Sequence, residues 1–103
     1  MNIQKLMKQA QQMQAKAAKM QEELAEKTLE ASVGGGKVTV VANGAGDVIS
    51  IKIAKEVVDP EDTEMLEDLV LSGVQQAIGD AKKMANDEMG KLGSGMGLPG
   101  MGM

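Results

Sequence analysis

Seven apolar residues, Ile3, Leu6, Ala10, Met13, Ala17, Met20 and Leu24, recur at spacings of 3, 4, 3, 4, 3 and 4. That is the a/d pattern of a heptad seam, sustained over three repeats. No Pro or Gly precedes Gly34, and the residues between the seam positions are Ala, Gln, Lys, Glu and Met, all good helix formers. The chain therefore opens on a helix of about 25 residues, about 37 Å long at 1.5 Å per residue. A small domain cannot cover that length. Part of the helix is expected to project, and its seam to need a neighbouring helix.

The rest of the chain offers little bulk to pack. Its 103 residues suit one domain, and they include no Phe, Tyr, Trp, Cys, His or Arg. Core volume must come from Ala, Val, Leu, Ile and Met, and the smaller of these bury little area each. A monomer of this size is marginal even with a good core, so a second chain is expected to supply part of the burial. The same absences remove chemistry: no disulfide framework, no zinc site of the usual kind, no Ser-His or Cys-His nucleophile and no imidazole base. A carboxylate or lysine enzyme remains open, but nothing in the sequence proposes a pocket for it. The chain reads as a non-enzyme with no cofactor and no small-molecule substrate. No stretch approaches the roughly 18 apolar residues of a membrane span, which points to a soluble, cytosolic protein.

Charge is unevenly distributed. The first 20 residues carry four lysines and no acid, whereas the remaining 83 carry seven lysines and fifteen acids, giving a net charge of −4 overall. Lys5, Lys8, Lys16 and Lys19 occupy heptad positions c, f, g and c, away from the seam, with Gln9 and Gln12 between the two pairs. Two readings stand: a solvated coiled-coil face, with Lys chosen for helix propensity, or a stripe that binds a polyanion. An ordinary exposed helix interleaves charge signs for i,i+4 support, and this one has no acid before Glu22. Lys makes point-charge contacts to phosphate, and Gln can hydrogen-bond phosphate or sugar oxygens. Without Arg the commonest bidentate reader of guanine is missing, so any sequence preference for DNA would be weak or would arise from DNA shape. Single-stranded nucleic acid fits less well because there is no aromatic platform for stacking. A membrane-surface helix would want bulky apolar residues where this one has Ala10 and Ala17.

Beyond the first helix the period changes to two. "TLEASV" places Leu29, Ala31 and Val33 on one face, the Gly34–Gly36 run breaks it, and "KVTVVAN" follows. "NGAGD" is a tight turn, with Asn43-Gly44 a hairpin signal because both tolerate positive φ, and "VISIKI" alternates Ile49, Ile51 and Ile53 against Val48, Ser50 and Lys52. The result is a three-stranded meander with one apolar face for a helix to cover and two open edges. Asp59-Pro60 is placed to open the last helix, with acids in its first turn. Its apolar stripe runs Leu66, Leu69/Val70, Gly73/Val74, Ala77/Ile78, Ala81 and Met84/Ala85. Gly73 inside the stripe implies close approach of another backbone, with Ala77 and Ala81 continuing a smooth seam. The acids from Asp59 to Asp68 lack the spacing and glycine of a calcium loop, so no metal site is expected. Met96, Met101 and Met103 have the thioethers that Cu(I) favours, but they sit in the Gly/Met-rich stretch 90–103, which reads as a flexible tail after a domain at 1–89.

Three segments, "MKQAQQMQ" (Met7–Gln14), "GKVTVVANGAGDV" (Gly36–Val48) and "LEDLV" (Leu66–Val70), together resemble the YbaB/EbfC family of small bacterial nucleoid-associated proteins. The resemblance covers about residues 3–89. It implies an α+β fold, α-β-β-β-α, in an intertwined homodimer whose sheets and C-terminal helices join at the centre while the long helices project as tweezer-like arms. Leu66, Leu69, Val70, Gly73, Val74 and Ala77 then become dimer contacts. It also implies binding of double-stranded DNA, an altered DNA conformation, and a role in nucleoid organisation and gene regulation in the cytoplasm. Lys5, Lys8, Lys16 and Lys19, with Gln9 and Gln12, become the DNA contacts. Lys82, Lys83 and Lys91 join them if an antiparallel second helix brings its C-terminal end near the start of the first. The alternative is a coiled-coil protein-interaction module, an accessory to recombination or replication factors. Relatives commonly carry some Arg, which this chain lacks.

Overall fold

The structure, a computed structural model, describes residues 2–95, with side-chain surroundings described through Lys91. Helix α1 (Ile3–Glu26) leads into strands β1 (Thr28–Val33), β2 (Val38–Asn43) and β3 (Val48–Ile53), and helix α2 (Thr63–Gly95) follows. The strands form one antiparallel sheet in the order β1-β2-β3. The α+β meander expected from the change of period is therefore present, and the molecule is elongated, about 70 × 26 × 17 Å.

Each strand end has a local cause. Gly34, Gly35 and Gly36 all adopt positive φ, which L-residues with a Cβ resist, so the chain reverses between β1 and β2 where the triple glycine stands. At the other hairpin the expected mechanism was wrong. Neither Asn43 nor Gly44 has positive φ; only Gly46 does, at 91°. Asn43 instead organises the turn through its side chain, whose Oδ1 accepts from the backbone N–H groups of Ala45 and Asp47 at 3.0 Å each. The alternation expected in β3 is also interrupted. The register steps from Val41↔Ser50 to Ala42↔Val48, a bulge at Ile49 that turns Val48 toward the apolar side.

Helix α2 starts three residues later than Asp59-Pro60 suggested. Asp59 Oδ1 accepts from Glu61 N at 2.9 Å, and Asp62 N donates to Asp59 O at 3.0 Å, so Pro60 sits inside a turn. Asp62 then caps the helix by accepting from Met65 N at 3.3 Å. The connection is tied down by Lys37, which pairs with Glu56 and whose carbonyl accepts from Ala54 N at 2.8 Å. The helix also continues beyond residue 89 to Gly95, so the first part of the expected tail is helical. Met96, Met101 and Met103 lie outside the described residues.

The core is a thin layer of Ala31, Val38, Val40 and Ala42 from the sheet against Ala77 and Ala81 from α2, flanked by Leu29, Val33, Leu69, Val70 and Val74. Its small side chains let the helix lie close to the strands. Gly73 is where they meet: a Cβ there would stand 2.9 Å from Val40 Cγ2 and 3.5 Å from Val33 Cγ2. The backbone approach inferred for Gly73 is thus to the chain's own sheet, not to another helix. Gly73 and Ala77 are buried inside the single chain and drop out of the expected dimer contacts.

Two alanine substitutions in α2 should have opposite signs. Gly79 has open space around it, and alanine there should add about 0.5–1 kcal/mol through backbone entropy. In Gly73→Ala the same gain is outweighed by overpacking against Val40, a stiff, fully buried neighbour, at a cost of about 1–3 kcal/mol. Urea unfolding midpoints of the two variants, one above and one below the parent, would check this.

Candidate nucleic-acid interface

Helix α1 is exposed along almost its whole length. Ile3 is 67% exposed, Met13 is 50% exposed, and only Leu24, at 3%, is buried. The helix starts cleanly because Asn2 Oδ1 accepts from Lys5 N at 3.2 Å. It then projects from the sheet by its C-terminal end, as its length required. At about 100° per residue, Lys5, Lys8, Gln9, Gln12, Lys16 and Lys19 fall within a sector about 100° wide. The four lysines span about 21 Å along the axis, from Lys5 to Lys19. All six side chains are exposed, and among the described residues no acid lies within ion-pair distance of the four lysines. An unpaired row of ammonium groups on a free-standing rod can follow a row of phosphates with little desolvation.

The arm is anchored by the β2–β3 turn. An α-helix leaves its last carbonyls without partners, and here the turn supplies donors for them. Asn43 Nδ2 donates to Ala25 O at 3.2 Å, and Gly44 N reaches Leu24 O at 2.9 Å and Lys27 O at 3.0 Å. A Cβ on Gly44 would lie 2.8 Å from Leu24 O, so only glycine lets the turn come this close. An ion pair closes the joint on the other side, Lys27 Nζ to Glu88 Oε1 at 3.1 Å.

That ion pair corrects the expectation for Lys82, Lys83 and Lys91. The C-terminal part of α2 meets the end of α1, not its start, about 36 Å away along the helix axis. Lys82 lines a cleft of about 500 Å³ at the base of the arm with Gln21, Leu24, Gly44 and Asn86. Lys83 is exposed, and Lys91 pairs with Glu88 at 3.8 Å. These three lysines do not extend the row near the tip.

The Glu88 carboxyl is held below the ordinary carboxylate range, first by its hydrogen bond from Lys27, then by the Lys27 charge and that of Lys91. A depressed carboxylate contributes stability above its unfolded pKa and loses it as pH falls through the lower folded value. The joint should therefore hold from neutral pH down into the ordinary carboxylate range and release below it. In a carbon-13 NMR titration, the Glu88 midpoint should rise toward the ordinary value in Lys27→Met.

A second surface is apolar. Helix α2 lies over β1 and β2, which leaves the inner side of β3 uncovered, with Val48, Ile49, Ile51 and Ile53 all exposed. Ile53 joins Leu66, Val70, Leu71 and Val74 of α2 in an open groove of about 450 Å³. Leu66, Val70 and Val74 are thus the part of the expected contact set that reaches an outer surface, while Leu69 packs toward Gly34. Ile51, Ile53 and Leu71 belong to the same exposed apolar surface without having been singled out for it from the sequence, although the apolar alternation in β3 carried the signal for the two isoleucines. The roles of Asn43, Gly44, Lys27 and Glu88 at the joint had no such signal, because they depend on which carbonyls the fold brings to the turn.

Comparison with known proteins fits this architecture. The chain is 53% identical over 100 residues to a nucleoid-associated protein of a Thermoanaerobacter species, covering 97% of this chain and 90% of that one. It is 50% identical over 95 residues to a nucleoid-associated protein of Syntrophobacter fumaroxidans, covering 92% and 86%. The crystal structure of an uncharacterized Helicobacter pylori protein superposes with a TM-score of 0.66 at 19% identity, over 78% of this chain and 93% of that one, and shares the fold. A family model described as the YbaB/EbfC DNA-binding family matches residues 1–96, a family of DNA-binding proteins and not of enzymes. The chain belongs to the YbaB/EbfC DNA-binding family.

Proposed function

We propose that this protein is a nucleoid-associated protein that binds double-stranded DNA with low sequence specificity through the lysine face of α1. In this reading it acts as a homodimer, alters DNA conformation, and so contributes to nucleoid organisation and gene regulation in the cytoplasm. The observation that carries the reading is the row of four unpaired lysines on a projecting helix in a member of a DNA-binding family. Contacts confined to Lys and Gln favour phosphate and sugar over base edges, which supports weak sequence preference. Among the described residues, no helix is long and apolar enough to cross a membrane.

The homodimer is supported by the uncovered inner side of β3 and the groove beside it. A core of alanine and valine buries little area, and a second copy seated on Ile51, Ile53, Leu66 and Val70 would add apolar burial that the single chain lacks. In such a dimer two arms would present eight lysines. A second reading, a module that docks recombination or replication proteins, is favoured by one feature: the exposed seam of Ile3, Leu6 and Met13 on the same arm.

Fluorescence anisotropy of a labelled random-sequence duplex, across about 25 to 200 mM salt, separates the two. A dimer engaging four to eight phosphates should give a log–log slope of roughly −4 to −7. Tight binding that ignores salt would move the contacts off the lysines. No binding at the lowest salt would leave protein docking as the better account.

A further inference from the structure

We infer that Asn43 and Gly44 are positioning residues for DNA binding: they fix the direction of the arm without touching DNA. This rests on the reading of α1 as the DNA-binding arm. The shoulder is narrow. Leu24 is the one buried residue of α1, so the arm's orientation depends on the groups that meet its last turn. Those groups are the Asn43 amide, which donates to Ala25 O, and the Gly44 N–H, shared between Leu24 O and Lys27 O. Asn43 is itself 5% exposed and uses its other end, Oδ1, to hold the turn through Ala45 N and Asp47 N. One side chain therefore links the rigid hairpin to the helix terminus. The Lys27–Glu88 pair braces the same joint from α2. Arms held at a set angle meet DNA without first being ordered, and that preorganisation appears as affinity.

The test uses two substitutions that leave every lysine in place. Asn43→Asp keeps an oxygen for the two turn N–H groups but sets a carboxylate oxygen against the Ala25 carbonyl where the amide donated. Gly44→Ala keeps the turn's polar groups and pushes a methyl against Leu24. The chain has no cysteine of its own, so nitroxides at Gln4→Cys and Glu30→Cys report the angle between the arm and the sheet by electron–electron distance measurement. Doubly labelled chain is diluted into unlabelled chain, so that only intrachain distances are read.

The parent should give one narrow distribution. Asn43→Asp should broaden it and Gly44→Ala should shift its mean. Duplex affinity should fall about tenfold in each, with the salt slope unchanged because the phosphate contacts are the same. A merely structural lesion would lower the urea midpoint without altering the distribution in native buffer. Should Asn43→Asp fail to fold, Gly44→Ala alone decides. Parent-like distributions in the folded variants would overturn the inference. An altered distribution with unaltered DNA affinity would also overturn the inference, leaving the joint in control of an angle that DNA binding does not use, while the salt slope decides separately whether the arm lysines meet phosphate.

Discussion

Changing Lys5, Lys8, Lys16 and Lys19 together to Gln is expected to abolish most of the salt dependence of duplex binding. Each phosphate contact contributes about −0.9 to the log–log slope, so removing four lysines from each chain of a dimer should bring a slope of roughly −4 to −7 close to zero. At about 50 mM salt the affinity should fall at least about a thousandfold, because the counterion-release contribution is largest at low salt. The change is otherwise mild. Gln has nearly the helix propensity of Lys, and all four positions are exposed with no ion pair to lose among the described residues. Circular dichroism and sedimentation should therefore match the parent. An unchanged slope in a folded variant would assign the phosphate contacts to another surface, with the lysines at the base of the arm, Lys82 and Lys83, next to be tested.

The second large effect concerns assembly. Ile51 and Leu71 are 42% and 55% exposed in the single chain, so the double change Ile51→Lys with Leu71→Lys should cost the monomer fold little. Across a two-fold interface the same change would place four ammonium groups in apolar surroundings, with like charges close together, at a cost of several kcal/mol. The dimer dissociation constant should weaken at least about a thousandfold, the equivalent of about 4.1 kcal/mol, and the mass at micromolar concentration should halve. The proposed DNA reading then requires a second result: the salt slope of the monomer should be about half that of the parent. A parent of dimer mass with an unaltered mass in the variant would show that copies join elsewhere, with the α1 seam the next surface to examine, and a parent of monomer mass would overturn the homodimer itself.

The sequence made the elements legible where a single period governed them. The 3-4 spacing from Ile3 to Leu24 gave α1 nearly residue by residue, and its excess length over any small domain gave the projecting arm. The alternation in "TLEASV" and "VISIKI" gave the strands, with the bulge at Ile49 hidden because one extra residue leaves the composition unchanged. Legibility failed where two mechanisms share one residue type. Asp59-Pro60 and Asp62 each match a helix cap, and only the turn joining them decides that the second one serves. Gly73 required close approach by something, and a helix and a valine of the chain's own sheet make the same demand on it. For the lysines, helix geometry alone grouped Lys5, Lys8, Lys16 and Lys19 on one face. Placing Lys82, Lys83 and Lys91 needed the angle between two helices, which no local pattern encodes.

The one-ended attachment of α1 makes it a lever. Over the roughly 36 Å from its joint to its tip, a rotation of 10° at the turn displaces the tip by about 6 Å. That is about half the width of a major groove of B-DNA, which is about 12 Å. In a dimer with two such levers, a change of a few degrees at each fulcrum would decide whether the gap between the tips admits a straight duplex or only one that has been narrowed or bent.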